Sequence, residues 1–385
     1  MKVEHNITRL KYLLDLYDIS VEDLSKKISE GLKNPITHQD LFSKEIKLTH
    51  LKRVDKFFDK GLHFYLDPKA PETSKEASVF FRKDKFNSEL NLGARKIVNE
   101  FEEFKISLTA ISNLADLNIR RVFNIYQPSD DPKTIAEEIR EYLYPTFVSD
   151  LKEFLRALIV KLAEHNILVF EFVETWNKKD KANIDGFFLN PNVIVLKRQQ
   201  SSFRREIFTL IHELGHFLLN EEEIDVLDYQ QIGRTDLSAI ERWCNDFAYY
   251  FLAGDYSDKI RNIQKADASN DYQFELIEEI SYRTHISQIA LFTRLLYEKK
   301  LSQKDYLKIK TDFDEKYQTK IEEEKRLREI EKDKGLKHRG SVPQPIKSPL
   351  LVSTIQTAFY EGILNEYEVC KKLKIKPDKL EKYIS

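Results

Sequence analysis

The apolar residues of the chain recur mostly with the period of an α-helix, and in one stretch with that of β-strands. Residues 1 to 68 predict short helices joined by tight turns, the first carrying an apolar stripe from Ile7 to Tyr17. Ser20, with Asp23 three residues later, is a candidate N-cap of the second helix. Short helices separated by brief turns are typical of a helix-turn-helix module; a small helical bundle without a DNA role is the alternative.

The period stays helical from Glu76 to Lys161, apart from a break at residues 128–132, and then changes. Residues 167–173 predict a strand, and the segments GFFL and VIVL on either side of residues 190–192 predict a hairpin. We therefore expect a small antiparallel sheet directly upstream of the next helix. An edge strand of that sheet could hold an extended peptide through backbone hydrogen bonds; the alternative is that the strands serve only the core.

The broadest apolar helix face lies between Phe203 and Leu219, and Ser201 and Ser202 are candidate caps for this helix. After residue 300 the pattern is helical and highly charged, which is typical of a solvated helix or linker. The segment GSVPQPIKSP predicts a loop, and a short helical unit closes the chain.

Composition narrows the class of protein. A chain of 385 residues is long for one core, so two or three domains are expected, and no apolar run is long enough to span a membrane. The N-terminus lacks the features of a secretory signal, and with only Cys244 and Cys370 we expect a reducing cytoplasm. The net charge of −2 gives no general reason to bind nucleic acid, and the ten glycines form no phosphate-binding pattern.

Residues 212 to 216 read His-Glu-Leu-Gly-His and carry the main chemical prediction. On a helix, His212 and His216 project from one face and can hold one Zn²⁺, while Glu213 is placed to take a proton from a water molecule at the metal. So short a pattern also arises by chance, so it needs further support. A catalytic zinc site has three protein ligands, and a third candidate ligand would give that support.

Glu241 is the leading candidate for that ligand. It lies 25 residues past His216 on a second predicted helix, which leaves room for a loop and a return. Cys244 is an alternative because a thiolate binds zinc strongly. Asp246 and the run from Glu221 to Glu223 are further alternatives, and we expect that run to be solvated.

Four other residues could support the reaction. Asn245, one turn past Glu241, could orient a ligand through a hydrogen bond. His285, Tyr249 or Tyr250 could donate a hydrogen bond to the developing oxyanion. A structural histidine and packed tyrosines are the simpler interpretations of these three.

The segments FTLIHELGHFLL and ERWCNDFAYYFL resemble the ImmA/IrrE family of bacterial and phage metallopeptidases. Members of that family carry F-T-x-x-H-E-x-G-H-x-x-L, followed by E-x-x-A-N-x-F-A. The hairpin segment before the motif is similar to the family's hairpin, and residues 48–83 are similar to the end of the helix-turn-helix domain of its longer members. The likeness covers nearly the whole chain and is most specific in residues 180–252.

The resemblance implies zinc held by His212, His216 and Glu241, with Glu213 as general base. It also implies cleavage of DNA-binding repressors, which releases genes of mobile elements or stress responses. The chain departs from the family at Cys244, where Ala is usual. It also lacks the Gly-rich turn and basic recognition helix of a helix-turn-helix, and its first 68 residues carry twelve Lys/Arg against eleven Asp/Glu, a weak basis for DNA binding.

Together these features predict an α+β fold that is mostly helical. Its zincin-like core is a small antiparallel sheet packed on the His-Glu-x-x-His helix, flanked by helical N- and C-terminal domains. We expect a helix-turn-helix-like domain at residues 1–70, a metallopeptidase domain at 75–300 and a C-terminal helical region at 301–385.

The predicted function is a cytoplasmic zinc endopeptidase that hydrolyses a protein substrate, a repressor or antitoxin-type regulator, through Glu213-assisted attack of water at the zinc. The alternative is a non-catalytic regulatory protein that binds DNA or protein and has a structural or vestigial zinc site. Glu213 counts against the alternative, because a purely structural site needs no carboxylate there.

Overall fold

The computed structural model describes residues 1–71, 90–117, 119–174, 181–198, 203–223, 238–333 and 344–384. The chain divides into two compact units, one of residues 1–104 and 179–183 and the other of residues 105–178 and 184–385. None of the described helices combines the length and the apolar composition that a membrane crossing requires. The division into three domains at residues 70, 75 and 300 stays a prediction.

The first unit is built from short helices, as its apolar period predicts. Its elements are β1 (Lys2–Glu4), α1 (Ile7–Tyr17), α2 (Val21–Ser29), α3 (His38–Phe42), β2 (Glu45–Lys47), α4 (Leu48–Phe58), α5 (Leu62–Leu66) and the first part of α6 (Leu92–Leu114). The side chain of Ser20 accepts a hydrogen bond from the backbone N–H of Asp23 at 3.0 Å, which confirms the predicted cap. The antiparallel pair β1–β2 was not predicted, because a three-residue strand is too short to show a period.

The second unit contains a three-stranded sheet and most of the helices. Its elements up to residue 262 are α7 (Pro132–Leu143), α8 (Leu151–Glu164), β3 (Leu168–Val173), β4 (Gly186–Leu189), β5 (Val193–Arg198), α9 (Phe203–Leu219), α10 (Ala239–Ala253) and α11 (Tyr256–Asn262). It continues with a 3₁₀ turn (Ala268–Gln273), α12 (Phe274–Thr284), α13 (Gln288–Tyr297), α14 (Gln303–Asp333), α15 (Pro349–Tyr360), α16 (Glu366–Lys372), a second 3₁₀ turn (Pro377–Lys379) and α17 (Glu381–Ile384). The chain is thus mostly helical with a small sheet, and the α+β fold class is confirmed.

The sheet has the strand order β3-β5-β4 and is mixed, which corrects one detail of the prediction. The hairpin β4–β5 is antiparallel as expected, but β3 pairs with β5 in parallel, with Leu168 opposite Val193. Apolar periodicity identifies a strand and a short turn fixes its hairpin partner, but neither determines the direction of a strand that pairs across a long connection. The central strand β5 is buried along nearly its whole length, as expected for a strand covered on both faces.

The helical region predicted from Glu76 to Lys161 has a wider break than residues 128–132, because no described residue between Leu114 and Pro132 is helical, and it has a second break that the sequence did not suggest. Residues 144–150, which contain Pro145, separate α7 from α8, and the part of the prediction on residues 76–89 lies outside the described residues. The caps are Asp131 and Asp150, whose side chains accept hydrogen bonds from the third residue after each. Helix α9 has the predicted bounds, whereas its candidate caps Ser201 and Ser202 also lie outside the described residues.

Candidate metal centre

Helix α9 carries the His-Glu-Leu-Gly-His sequence and is buried on almost every side. It packs against β4, β5, α8 and α10, and every residue from Thr209 to Leu219 is buried. A helix that is surrounded in this way belongs to the core of its domain. The polar side chains within it therefore cannot be solvated, and each requires a partner inside the protein.

Helix α10 brings the third candidate ligand to α9. The side chain of Ser238 caps its N-terminus by accepting a hydrogen bond from the backbone N–H of Glu241 at 3.0 Å, so Glu241 lies in the first turn. The two helices approach closely because Gly215 on α9 faces Cys244 on α10: a Cβ added to Gly215 would lie 3.1 Å from both the Cα and the Sγ atom of Cys244. This close contact keeps Glu241 beside the two histidines.

The two imidazoles and the Glu241 carboxylate meet at one point. The Nε2 atoms of His212 and His216 lie 3.2 Å apart, and each faces a different carboxylate oxygen of Glu241, at 3.2 Å from His212 and 3.1 Å from His216. All three side chains are at most 2% exposed. Among the described residues these three form the group that could hold a metal ion.

The electrostatics of this group favour an ionised Glu241. Burial by itself would raise the pKa of the Glu241 carboxyl group, but the facing imidazoles, His212 foremost, lower the pKa well below its ordinary value. A buried carboxylate and two buried imidazole nitrogens that all point at one another are the donor set of a zinc site with a position left for a further ligand. The residues present therefore fit a divalent metal such as zinc.

Glu213, the predicted general base, is buried one residue after the first histidine. Gly186, the first residue of β4, lies directly against it: a Cβ added there would be 3.1 Å from the Cγ atom of Glu213. At the other end of β4, the backbone N–H of Asn190 donates to the Glu222 carboxylate at 2.8 Å. The strand β4, at one edge of the sheet, thus runs beside α9 from Glu213 to just past the end of the helix.

The other ligand candidates have different roles. Asp246 accepts a hydrogen bond from the Arg294 guanidinium at 2.5 Å, and the Cys244 side chain is packed against Gly215. The expectation of a solvated glutamate run is wrong for Glu222, which is buried and bonded to Asn190, because the hairpin returns to the end of α9. A charge run in a sequence does not show which of its members the fold covers.

The remaining candidates pack in the protein core or bind elsewhere. The Nε2 atom of His285 bonds to the carbonyl oxygen of Val148 at 2.7 Å, and its ring stacks on Phe147. Tyr250 accepts a hydrogen bond from Arg294 at 2.9 Å. Asn245 is half-buried and, within the described residues, makes no hydrogen bond to the three candidate ligands. These contacts favour the structural interpretation of His285 and Tyr250.

The structure adds two arginines that the sequence did not single out. Arg121 donates to the carbonyl oxygens of Phe217 and Leu218 at 2.5 and 3.2 Å, and thereby caps the C-terminal end of α9. Burial lowers the pKa of Arg121 to about 10. No local pattern could have found it, because its partners lie almost a hundred residues away.

The second arginine anchors the beginning of α9. Arg198, at the end of β5, forms ion pairs with Glu206 at 2.9 Å and with Glu171 on β3, and all three side chains are at most 2% exposed. Glu171 also accepts a hydrogen bond from the backbone N–H of Lys347 at 2.9 Å. The cluster joins the sheet, α9 and the segment that precedes α15.

Comparison with known proteins agrees with this geometry. The family model described as the IrrE N-terminal-like domain, Peptidase_M78, matches residues 162–253, a stretch that begins in α8 and ends with α10. Neither the curated proteins nor the solved structures give a match. The matched stretch contains Glu213 and the three convergent side chains. Residues 162–253 therefore match the IrrE N-terminal-like domain, a domain of metallopeptidase type, and this match supports the predicted resemblance to the ImmA/IrrE family.

Proposed function

We propose that this protein is a zinc-dependent endopeptidase whose metal ligands are His212, His216 and Glu241. The observation that carries the proposal is the meeting of two imidazole Nε2 atoms and a carboxylate within about 3.2 Å of one another, at the buried contact between α9 and α10. The family match to residues 162–253 supports the same reaction class.

The bound metal would supply Lewis acidity, polarising the scissile carbonyl group and acidifying a water molecule. Glu213 follows His212 directly, and its buried carboxylate is the group that would accept the proton as water attacks the carbonyl carbon. The same carboxyl group would then give that proton to the departing amine. Because Glu213 is buried, its charge is screened weakly and its interactions with neighbouring charges are stronger than they would be in water.

The substrate we propose is a protein that offers an extended segment, in particular a repressor or antitoxin-type regulator. The substrate class rests on the family resemblance. Support for the extended conformation comes from β4, which is at the edge of the sheet order and starts beside Glu213. A peptide could add to such an edge through main-chain hydrogen bonds.

The experiment that tests the proposal measures the metal content of the purified protein together with Glu241→Ala and Cys244→Ala variants. About one zinc ion per chain, lost with Glu241 and kept without Cys244, is the expected result. No zinc in the parent protein, even after reconstitution, would favour the non-catalytic regulatory function.

A second experiment separates catalysis from metal binding. The Glu213→Gln variant should keep zinc and lose cleavage of candidate repressors by at least about a hundredfold, because the amide cannot accept the proton. Cleavage at the parent rate by this variant would show that the assigned mechanism is wrong.

A further inference from the structure

The strand β4 begins with a glycine at its closest approach to α9. A Cβ added to Gly186 would lie 2.8 Å from the Cγ2 atom of Thr209, 3.0 Å from the carbonyl oxygen of Val195 and 3.1 Å from the Cγ atom of Glu213. The backbone of Gly186 does not have a positive φ, so its conformation suits any residue. Only the packing requires glycine at this position.

The three neighbours of Gly186 differ in how easily they can move. Thr209 is β-branched on a buried helix, so its χ1 angle is restricted. The Val195 oxygen belongs to the main chain of β5, which is paired with β4. Glu213 is the one neighbour with several rotatable bonds. A methyl group at residue 186 would press most closely on Thr209, which can yield only if α9 shifts and carries Glu213 with it, and it would press directly on the Glu213 side chain, which can rotate away. Both movements displace the Glu213 carboxylate.

We propose that Gly186 is a positioning residue for the Glu213 carboxylate. Its bare Cα forms one wall of the space that holds the Glu213 side chain, and together with Thr209 it fixes the orientation of that side chain beside His212 and His216. This inference rests on the proposed role of Glu213 as general base. It adds that β4 aligns the base as well as forming the sheet edge.

A second glycine provides the contrast. Gly215 faces Cys244 on α10, so its substitution crowds the helix that carries Glu241 and not the side chain of Glu213. Substitutions of the two glycines should therefore affect different parts of the site. Gly186 controls the base, and Gly215 controls the position of a metal ligand. Gly186→Ala should leave zinc stoichiometry unchanged, whereas Gly215→Ala should reduce zinc retention.

The test uses the full-length, zinc-loaded protein and acetohydroxamic acid as the probe, with binding measured by calorimetry. This small chelator binds a catalytic metal through its two oxygens and gives its N–OH proton to an adjacent carboxylate, so its affinity reports the placement of Glu213 without a known substrate. Glu213→Gln should weaken binding at least about tenfold, the loss of one hydrogen bond to a charged group. Gly186→Ala should weaken it by a similar factor, about tenfold, with one zinc per chain retained.

Rescue distinguishes positioning from general destabilisation. Thr209→Ser removes the methyl group nearest to the added Cβ and keeps the hydroxyl, so the Gly186→Ala/Thr209→Ser double variant should recover binding to within about threefold of the parent. Ile194→Val, in the core on β5, is the matched control: it should lower stability by deleting a methyl group, without changing the affinity for the probe.

The outcomes separate the two proposals. If Glu213→Gln weakens the probe and Gly186→Ala does not, or if Gly186→Ala loses zinc, the positioning role is wrong and the proposed function stands. If the parent holds no zinc, or if Glu213→Gln binds the probe as tightly as the parent, the proposed function itself fails. Should Gly186→Ala not fold, the double variant is compared with Thr209→Ser alone. The double variant should then bind the probe about twofold to threefold more weakly than Thr209→Ser. Equal affinities of these two variants for the probe would overturn the inference.

Discussion

Two helices of the second unit, α9 and α14, both contain polar residues. Those of α9 named below are buried, whereas most of those in α14 are exposed. In α9 the polar side chains Glu206, Thr209, His212, Glu213 and His216 are all buried. In α14 charged side chains predominate, and most positions from residue 314 onward are exposed, including Tyr317 and Leu327. Both helices are recognisable in the sequence, yet the five buried polar residues of α9 must interact with other protein groups, whereas the charged residues of α14 from residue 314 onward are mostly solvated.

The difference shows that a charged residue indicates a specific partner or a function when it is buried, and that its polarity alone does not. A buried ionisable group costs free energy unless other groups stabilise it, so its presence in a core implies a specific partner or a function. A charged residue on a solvated helix loses little when it is replaced. Substitutions of the buried polar residues in α9 and around it should therefore have large effects, and substitutions of the exposed charged residues in α14 should have almost none.

The largest effect is expected from the metal ligands. His216→Ala should abolish zinc retention, because it removes one of three convergent donors. At a free zinc concentration a thousand times the dissociation constant, the metal stabilises the folded parent by about 4 kcal/mol. Chelation should thus lower the free energy of unfolding of the parent by about that amount and leave His216→Ala unchanged. Denaturation with and without chelator, with Glu213→Gln as the zinc-binding control, checks this.

The next largest effect is expected at the ion cluster that anchors the start of α9. Arg198→Met removes the guanidinium that Glu171 and Glu206 share in the core, which should cost about 3 kcal/mol of unfolding free energy. The value is at the low end for a buried pair because Glu171 keeps its hydrogen bond from Lys347. Arg205→Met is the control: its side chain is 42% exposed, so the loss should stay below about 1 kcal/mol. Equal losses in the two variants would contradict the role of burial.

A smaller effect is expected where α9 meets α10. Gly215→Ala places a methyl group 3.1 Å from the Cα atom of Cys244, an overpacking that should cost about 1 to 3 kcal/mol, offset by up to about 1 kcal/mol of helix propensity. Combining it with Cys244→Ala should recover part of the loss, because the sulfur is removed while the backbone contact remains. A double-mutant cycle in chemical denaturation measures this coupling, and strict additivity would show that the two residues do not press on each other.

The sequence predicted the parts of the site that depend on local pattern. The bounds of α9 follow from its apolar period, and the helix that carries Glu241 was also predicted. Glu241 was favoured over Cys244 from general ligand preferences, and the structure places Glu241 beside the histidines. In each case the relevant residues are neighbours on one helix, or lie on two helices joined by one loop.

The features that the sequence did not predict depend on contacts between distant segments. The parallel pairing of β3 with β5, the burial of Glu222 and the cap provided by Arg121 each require knowledge of which segments meet. Gly186 is a further case, since a glycine before an apolar strand shows no local reason for its small size. The close approach of two backbones is a property of the tertiary fold, and no periodic pattern in the sequence indicates it.

The smallest effect on stability is expected in α14, where a large effect would contradict the proposed difference between α9 and α14. Glu322→Gln and Lys325→Gln change exposed side chains of opposite charge in the same solvated stretch, and each should shift the free energy of unfolding by less than about 0.5 kcal/mol. Zinc content should be unchanged in both, because neither residue is among the convergent donors. Thermal denaturation beside the Arg198→Met variant gives the measurement. A loss above about 1 kcal/mol from either substitution would mean that α14 is covered in solution by a partner or by a second copy of the chain, since an exposed glutamate or lysine has no other route to so large a contribution.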